Sequence, residues 1–162
     1  MPLACSRHTH REGPSTHMTR VLIVDDHAFI RRGIQAILNS SPEFDFCGEA
    51  DNGIAAIRLS ADLQPDIIVM DVSMPGLNGL EATRVIREAN PNIKVLLLTL
   101  HESGEILRSA FQVGAQGYLM KSETDHELLR ALRMLVAEQV YISPKADAHD
   151  AASVLREIPA SH

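Results

Sequence analysis

Val21-Leu22-Ile23-Val24-Asp25-Asp26 decides the fold of this chain, because four apolar residues run directly into two acids. Three later stretches share this form, an apolar run that ends on a polar residue: Ile67-Ile68-Val69-Met70 before Asp71, Val95-Leu96-Leu97-Leu98 before Thr99, and Gly117-Tyr118-Leu119-Met120 before Lys121. Short aliphatic runs are typical of parallel strands that are buried on both faces. If they belong to one sheet, three carboxylates, a hydroxyl and an ammonium meet at one edge.

Composition limits the classes of protein to which the chain can belong. Its 162 residues are 45% hydrophobic and 22% charged, which suits a single domain with modest tails. A net charge of −6 argues against broad nucleic-acid binding. Two cysteines without metal-ligand spacing favour a reducing compartment, and no stretch approaches the roughly 18 apolar residues of a membrane helix. We therefore expect a soluble cytoplasmic protein.

Apolar runs alternate with helical patterns along most of the chain. The runs predict five strands, near residues 20–25, 45–50, 66–71, 93–99 and 117–120. A helical pattern follows each strand, and Asp26 is placed to cap the first helix. Alternation of this kind predicts a flavodoxin-like, doubly wound α/β fold. Its parallel sheet would have five strands in the order 2-1-3-4-5, with helices on both faces.

The two ends of the chain lack this alternation. Residues 1–17 are polar and aperiodic, which predicts a disordered extension of unknown origin. Residues 18–140 form the predicted domain. Residues 141–162 are interpreted as a linker or tail, in which Val154, Leu155 and Ile158 allow one short amphipathic helix.

The predicted sheet edge has a chemistry of its own. Strands one and three would be neighbours about 4.8 Å apart, so Asp25, Asp26 and Asp71 would crowd together. Acids that are so close need a cation, and Mg²⁺ or Mn²⁺ is the ion that prefers carboxylate oxygens. A carboxylate beside such an ion can attack phosphorus and form an aspartyl phosphate. Lys121 would add positive charge, and Thr99 a hydroxyl for a phosphoryl oxygen.

Four segments together resemble the receiver domain of bacterial two-component response regulators: VLIVDDH at 21–27, IIVMDVSMPGLNGLEATRVIR at 67–87, VLLLT at 95–99 and GAQGYLMK at 114–121. The resemblance covers about residues 19–140. Within that family, Asp25-Asp26-His27, the Asp-Val-Ser-Met-Pro-Gly segment and Gly-Tyr-Leu-Met-Lys are similar to the NarL/FixJ (LuxR-type) subfamily.

The resemblance implies a role for each residue of the predicted edge. Asp71 would be the phosphoacceptor, and Mg²⁺ would be bound by Asp71, Asp25, Asp26 and the backbone carbonyl of Ser73. The phosphoryl group would be contacted by Thr99 and Lys121, with Thr99 and Tyr118 as the switch pair. His101, two residues after Thr99, is a further candidate that would lie near the phosphoryl group and tune its hydrolysis.

The resemblance also implies partners. A sensor histidine kinase would donate the phosphoryl group, and the surface of the fourth helix, fifth strand and fifth helix would then change and be read by a partner or a second copy. The chain would be no enzyme beyond its own phosphorylation and dephosphorylation, and it would have no membrane partner. Subfamily members usually continue into a DNA-binding helix-turn-helix, for which the residues after Ser143 are too few. We therefore expect no DNA binding by this chain itself.

Three questions stay open at this point. A Mg²⁺-dependent phosphatase with an aspartate nucleophile is one alternative, although its nucleophile usually ends the first strand. A pseudo-receiver that acts only as an interaction module is another. The sequence also leaves open whether the chain is truncated or a natural stand-alone receiver.

Overall fold

A parallel sheet lies between two layers of helices in the computed structural model, which describes residues 17–158. Its strands are β1 (Thr19–Val24), β2 (Phe44–Ala50), β3 (Ile67–Asp71), β4 (Lys94–Thr99), β5 (Gly117–Met120) and β6 (Tyr141–Ile142). Its helices are α1 (Ala28–Asn39), α2 (Gly53–Leu63), α3 (Gly79–Ala89), α4 (Gly104–Gln112), α5 (Thr124–Val136) and α6 (Ala148–Glu157). The predicted extension falls, except for residue 17, outside the described residues.

The strand order is β2-β1-β3-β4-β5-β6, and every neighbouring pair is parallel. This confirms the α/β class and the parallel sheet, whereas the prediction of five strands was wrong by one. The sixth strand, β6, has two residues and is too short to show a periodic pattern. Its backbone hydrogen bonds to β5 define it, with the Tyr141 N–H donating to the Gln116 carbonyl at 3.0 Å.

Consecutive residues of the central strands point to opposite faces of the sheet, and each face has its own apolar cluster. In β1, Leu22 and Val24 pack towards α2, α3 and α4, while Val21 and Ile23 pack towards α1 and α5. Since both faces are covered, every position of the strand is apolar, which explains the uninterrupted run in the sequence.

Helices α2, α3 and α4 each begin at a polar side chain that caps the first turn. The caps are Asn52 to the Ala55 N–H at 2.8 Å, Asn78 to the Glu81 N–H at 2.9 Å, and Ser103 to the Ile106 N–H at 3.2 Å. The prediction that Asp26 caps α1 was wrong. The residue before α1 is His27, which makes no capping hydrogen bond, and Asp26 instead faces the His27 ring.

The C-terminal segment folds back onto the domain. After β6, helix α6 packs on α4, and Val154 is buried in the same apolar cluster as Leu107 of α4. The predicted boundary between the domain, residues 18–140, and the linker or tail that follows stays a prediction. Among the described residues, no helix combines the length and the apolar character needed to cross a membrane.

Candidate functional site

Asp25 and Asp71 lie side by side where β1 and β3 end. The register aligns Val24 with Met70, so the residues that follow them are neighbours. Both acids are buried, with 0% and 2% of their surfaces exposed. The parallel sheet therefore brings two carboxylates into a position that apolar packing does not explain.

Lys121 is the cation between these two carboxylates. Its Nζ lies 2.9 Å from Asp25 Oδ2 and 3.2 Å from Asp71 Oδ1, and its side chain is 7% exposed. The residue follows β5 and opens a single 3₁₀ turn, Lys121–Glu123, which directs it back over the sheet edge. Burial alone would lower the pKa of Lys121, but Asp25 and Asp71 together raise it. The lysine is therefore held as an ammonium.

Asp71 remains electrostatically unsatisfied despite this lysine. Burial and the nearby Asp25 raise its pKa to about 6, against the opposing effects of Lys121 and the Ser73 N–H, which lies 3.2 Å from Asp71 Oδ1. Its second oxygen, Oδ2, is buried and accepts no hydrogen bond from any residue between 17 and 158. One cation does not balance the two buried acids, so the site favours further positive charge.

This raised pKa predicts a pH dependence of stability in the absence of divalent ions. Between the ordinary value of 3.8 and about 6, the folded chain keeps a proton that the unfolded chain has lost. The free energy of unfolding should therefore fall as pH rises through that window, by at most about 3 kcal/mol. Asp71→Asn does not titrate and should lack this fall. Urea unfolding of both proteins in EDTA measures the difference, and a difference that is constant with pH would contradict the prediction.

His27, the residue directly before α1, joins the acidic cluster. Its Nδ1 lies 3.2 Å from Asp25 Oδ1 and 3.1 Å from Asp26 Oδ1. Ligand atoms of Asp25, Asp26, His27 and Asp71 all lie within 4.8 Å of one another. Three carboxylates converge here, and each has one buried oxygen that accepts no hydrogen bond within residues 17–158. Carboxylate oxygens are the donors that hard divalent cations prefer. The signal that could have found His27 is its position directly after the two acids.

Arg31 supports the turn that carries the acids, and sequence reasoning missed it. Its Nη1 donates to the Asp25 carbonyl at 2.6 Å, and its Nε lies 3.6 Å from Glu49 Oε1. The guanidinium thus ties the end of β1 to α1 and β2. A single arginine on an amphipathic helix carries no sequence signal for such a role.

Gly79 fixes the backbone of the segment that carries Asp71. A β-carbon at this position would overlap the carbonyl oxygen of Asp71, so α3 begins in direct contact with the end of β3. The Gly79 N–H donates to the Val72 carbonyl at 2.9 Å. This close approach closes the loop that contains Ser73, whose N–H already bonds to Asp71.

Thr99 and Tyr118 lie close together, beside the loop that leads to α4. Thr99 is buried, and its hydroxyl donates to the His101 carbonyl at 3.0 Å. Tyr118 is fully buried; its hydroxyl lies near Thr99 and Ser103 without a hydrogen bond of normal geometry, and burial raises its pKa. The His101 side chain is exposed. The structure thus unites the predicted switch pair, with Tyr118 already turned inward.

Known proteins resemble this chain in sequence and in fold. The family model "Response regulator receiver domain" matches residues 21–133. Response regulator GacA of Pseudomonas viridiflava is 41% identical over 128 residues, which are 79% of this chain and 60% of GacA. A LuxR-family two-component response regulator from Aurantimonas sp. has 33% identity and a TM-score of 0.78, covering 87% of this chain and 98% of that one. The signal receiver domain of NarL from Mycobacterium tuberculosis has 32% identity and a TM-score of 0.73, covering 76% and 99%.

These matches fit both the strand order and the acidic site. The chain spans about three fifths of the length of the curated relatives that it matches first, and the matched part is the receiver domain. The similarity to GacA, to NarL and to a LuxR-family regulator confirms the NarL/FixJ-type resemblance. The chain therefore belongs to the receiver domain family of two-component response regulators.

Proposed function

We propose that this chain accepts a phosphoryl group on Asp71 Oδ2 from a sensor histidine kinase, in a reaction that depends on Mg²⁺ or Mn²⁺. One observation carries the proposal: Asp71 Oδ2 is buried and accepts no hydrogen bond within residues 17–158, while the other oxygen of the same carboxylate, Oδ1, lies 3.2 Å from the Lys121 ammonium. A carboxylate oxygen without a partner is costly to bury, which suggests that its position serves chemistry and not stability.

The residues fit a divalent ion. Asp25, Asp26 and Asp71 would hold it together with the backbone carbonyl of Ser73, and the three acids leave negative charge that Lys121 alone does not offset. Bound Mg²⁺ would neutralise that charge and orient the phosphoryl oxygens. His27 contacts Asp25 and Asp26, so it limits the freedom of movement of these two side chains before any ion binds.

Each protein group then has one task in the transfer. The bond between Asp71 Oδ2 and phosphorus forms as the bond from phosphorus to the donor atom breaks, and that electron pair leaves with the donor. The Lys121 ammonium, next to Asp71 Oδ1, would move towards the phosphoryl oxygens and stabilise their negative charge. Thr99 would turn its single O–H to one of those oxygens and release the His101 carbonyl.

Phosphorylation would be read as a change of shape. Thr99 ends β4 directly before the loop that leads to α4, and Tyr118 is buried in the same apolar cluster as Leu107 of α4. The surface of α4, β5 and α5 is therefore the output that we propose, for a protein partner or a second copy of the chain. In a longer form with a helix-turn-helix domain, that output would control transcription. The chain would act as a cytoplasmic signalling domain. The phosphatase reading is not favoured, because the chain matches the receiver family across most of the described residues.

Acetyl phosphate tests the proposal without the kinase. With Mg²⁺, we expect intact mass spectrometry to show the gain of one phosphoryl group. Chelation with EDTA should slow the gain by at least about tenfold, because the crowded carboxylates then lack their counter-ion. A protein that stays unmodified with Mg²⁺ present would contradict the proposed function, and equal rates with and without Mg²⁺ would contradict the metal dependence.

A further inference from the structure

Residues 141–158, the C-terminal arm, are anchored at one end to the strand that carries Tyr118. The Ser143 N–H donates to the Tyr118 carbonyl at 2.8 Å, and the Ser143 hydroxyl accepts from the Met120 N–H at 3.2 Å. The Tyr141 hydroxyl donates to Glu127 Oε2 of α5 at 2.7 Å. The first part of the arm is therefore fixed to both β5 and α5.

The other end of the arm, α6, is held to α4 by the buried side chain of Val154 and by a polar contact at its first turn. Asp150 lies 3.2 Å from Arg108, and its carboxylate fills the space that a side chain at Gly104 would occupy. Gly104 is the first residue of α4, where the helix dipole favours a negative charge. Asp147 caps α6 itself, accepting from the His149 N–H at 2.9 Å. Helix α6 thus has its own cap and a polar attachment at the start of α4.

The start of α4 follows the β4–α4 loop, residues 100–103, and Thr99 is hydrogen-bonded to this loop. The Thr99 hydroxyl holds the His101 carbonyl, and Ser103 caps α4. A hydroxyl has one hydrogen to donate, so Thr99 cannot hold His101 and a phosphoryl oxygen through the same proton. A bond to the phosphoryl group would free the loop and shift the helix end on which Asp150 rests.

We propose that α6 is a latch on α4, closed in the unphosphorylated protein and loosened when Asp71 is phosphorylated. The coupling rests on the proposed function, since it needs Thr99 to turn towards a phosphoryl oxygen. The docking of α6 on α4 does not depend on the proposed function. Release would uncover the face of α4 that α6 now covers, while β6 would stay attached through Tyr141 and Ser143.

The rate at which the backbone amide hydrogens of α6 exchange with solvent shows whether α6 is docked on α4. A free helix of ten residues is only marginally stable in water, so undocked α6 would exchange faster. Gly104→Ala should displace the Asp150 carboxylate, the flexible end of a side chain, and raise α6 exchange about fivefold without any phosphoryl donor. Gly33→Ala is the matched control, since a β-carbon there meets nothing within 4 Å. Asp150→Ala should raise exchange as well, and the double variant should add little to it.

Phosphorylation tests the coupling. Acetyl phosphate with Mg²⁺ should raise α6 exchange in the parent protein by a similar factor, whereas β6 should keep its protection. Unchanged α6 exchange in a protein that has gained the phosphoryl group would overturn the coupling. Unchanged exchange in Gly104→Ala, or additive effects in the double variant, would overturn the docking contact. If the protein gains no mass, the proposed function and the coupling are both overturned. The comparison of Gly104→Ala with Gly33→Ala would still decide whether α6 docks on α4 through Asp150.

Discussion

Asp71→Asn should gain no phosphoryl group from acetyl phosphate and Mg²⁺ under conditions that label the parent protein. The amide keeps the shape of the side chain but has no ionised oxygen to attack phosphorus, and it removes one of the carboxylates that we propose would hold the metal. The site offers no substitute at the same place, because Asp25 is turned to Lys121 and to the His27 N–H, 2.8 Å from its Oδ1. Intact mass, measured over a time course, gives the rate for each protein.

An exposed acid provides the control. Asp62, on the solvent side of α2, can be changed to Asn with the same loss of one charge, and that variant should be labelled at the parent rate. Labelling of Asp71→Asn at the parent rate would show that the phosphoryl group resides elsewhere. Circular dichroism of the three proteins shows that they are folded, and we expect Asp71→Asn to be at least as stable as the parent near neutral pH, since it relieves the repulsion from Asp25.

Gly79→Ala should destabilise the fold far more than a methyl group added at an open position of a helix. The added carbon would overlap the Asp71 carbonyl oxygen, which belongs to the backbone and cannot turn away as a side chain can. Overpacking of this kind costs about 3 kcal/mol, a large part of the roughly 5–15 kcal/mol that holds a domain together. Urea unfolding measures the loss. Labelling should also slow, because the strain is relieved by moving the segment that carries Asp71 and Ser73.

Gly33→Ala is again the control, because it makes the same change from glycine to alanine without a clash. Position 33 lies inside α1 with open space around it, so alanine there should be neutral or slightly stabilising through its better helix propensity. Equal stability of Gly79→Ala and Gly33→Ala would contradict the close contact between α3 and the end of β3.

Much of the site was predictable because parallel strands convert a linear pattern into a spatial one. Asp25, Asp71 and Lys121 each follow an apolar run, and the carboxyl ends of those runs meet at one edge. The same argument predicted where the five longer strands lie.

Other features depend on side-chain packing and had no such pattern. The contact of His27 with two acids requires a particular turn before α1, and the Arg31 bond to the Asp25 carbonyl requires a particular rotamer. The Arg108–Asp150 pair joins two helices far apart in the sequence. Strand β6 consists of two residues and is held by backbone hydrogen bonds, which residues of any type except proline can donate and accept. Asp26 failed as a cap because the same carboxylate faces His27.

The pairing of Lys121 with Asp25 and Asp71 has a consequence for the order in which the protein is made. The three residues lie at the ends of the first, third and fifth strands, so the ribosome adds both acids before it adds the lysine. Until β5 takes its place beside β4, Lys121 is not beside the acids, so a half-synthesised chain lacks this ion pair. The buried acids therefore gain this counter-ion late in synthesis, after the fifth of the six strands.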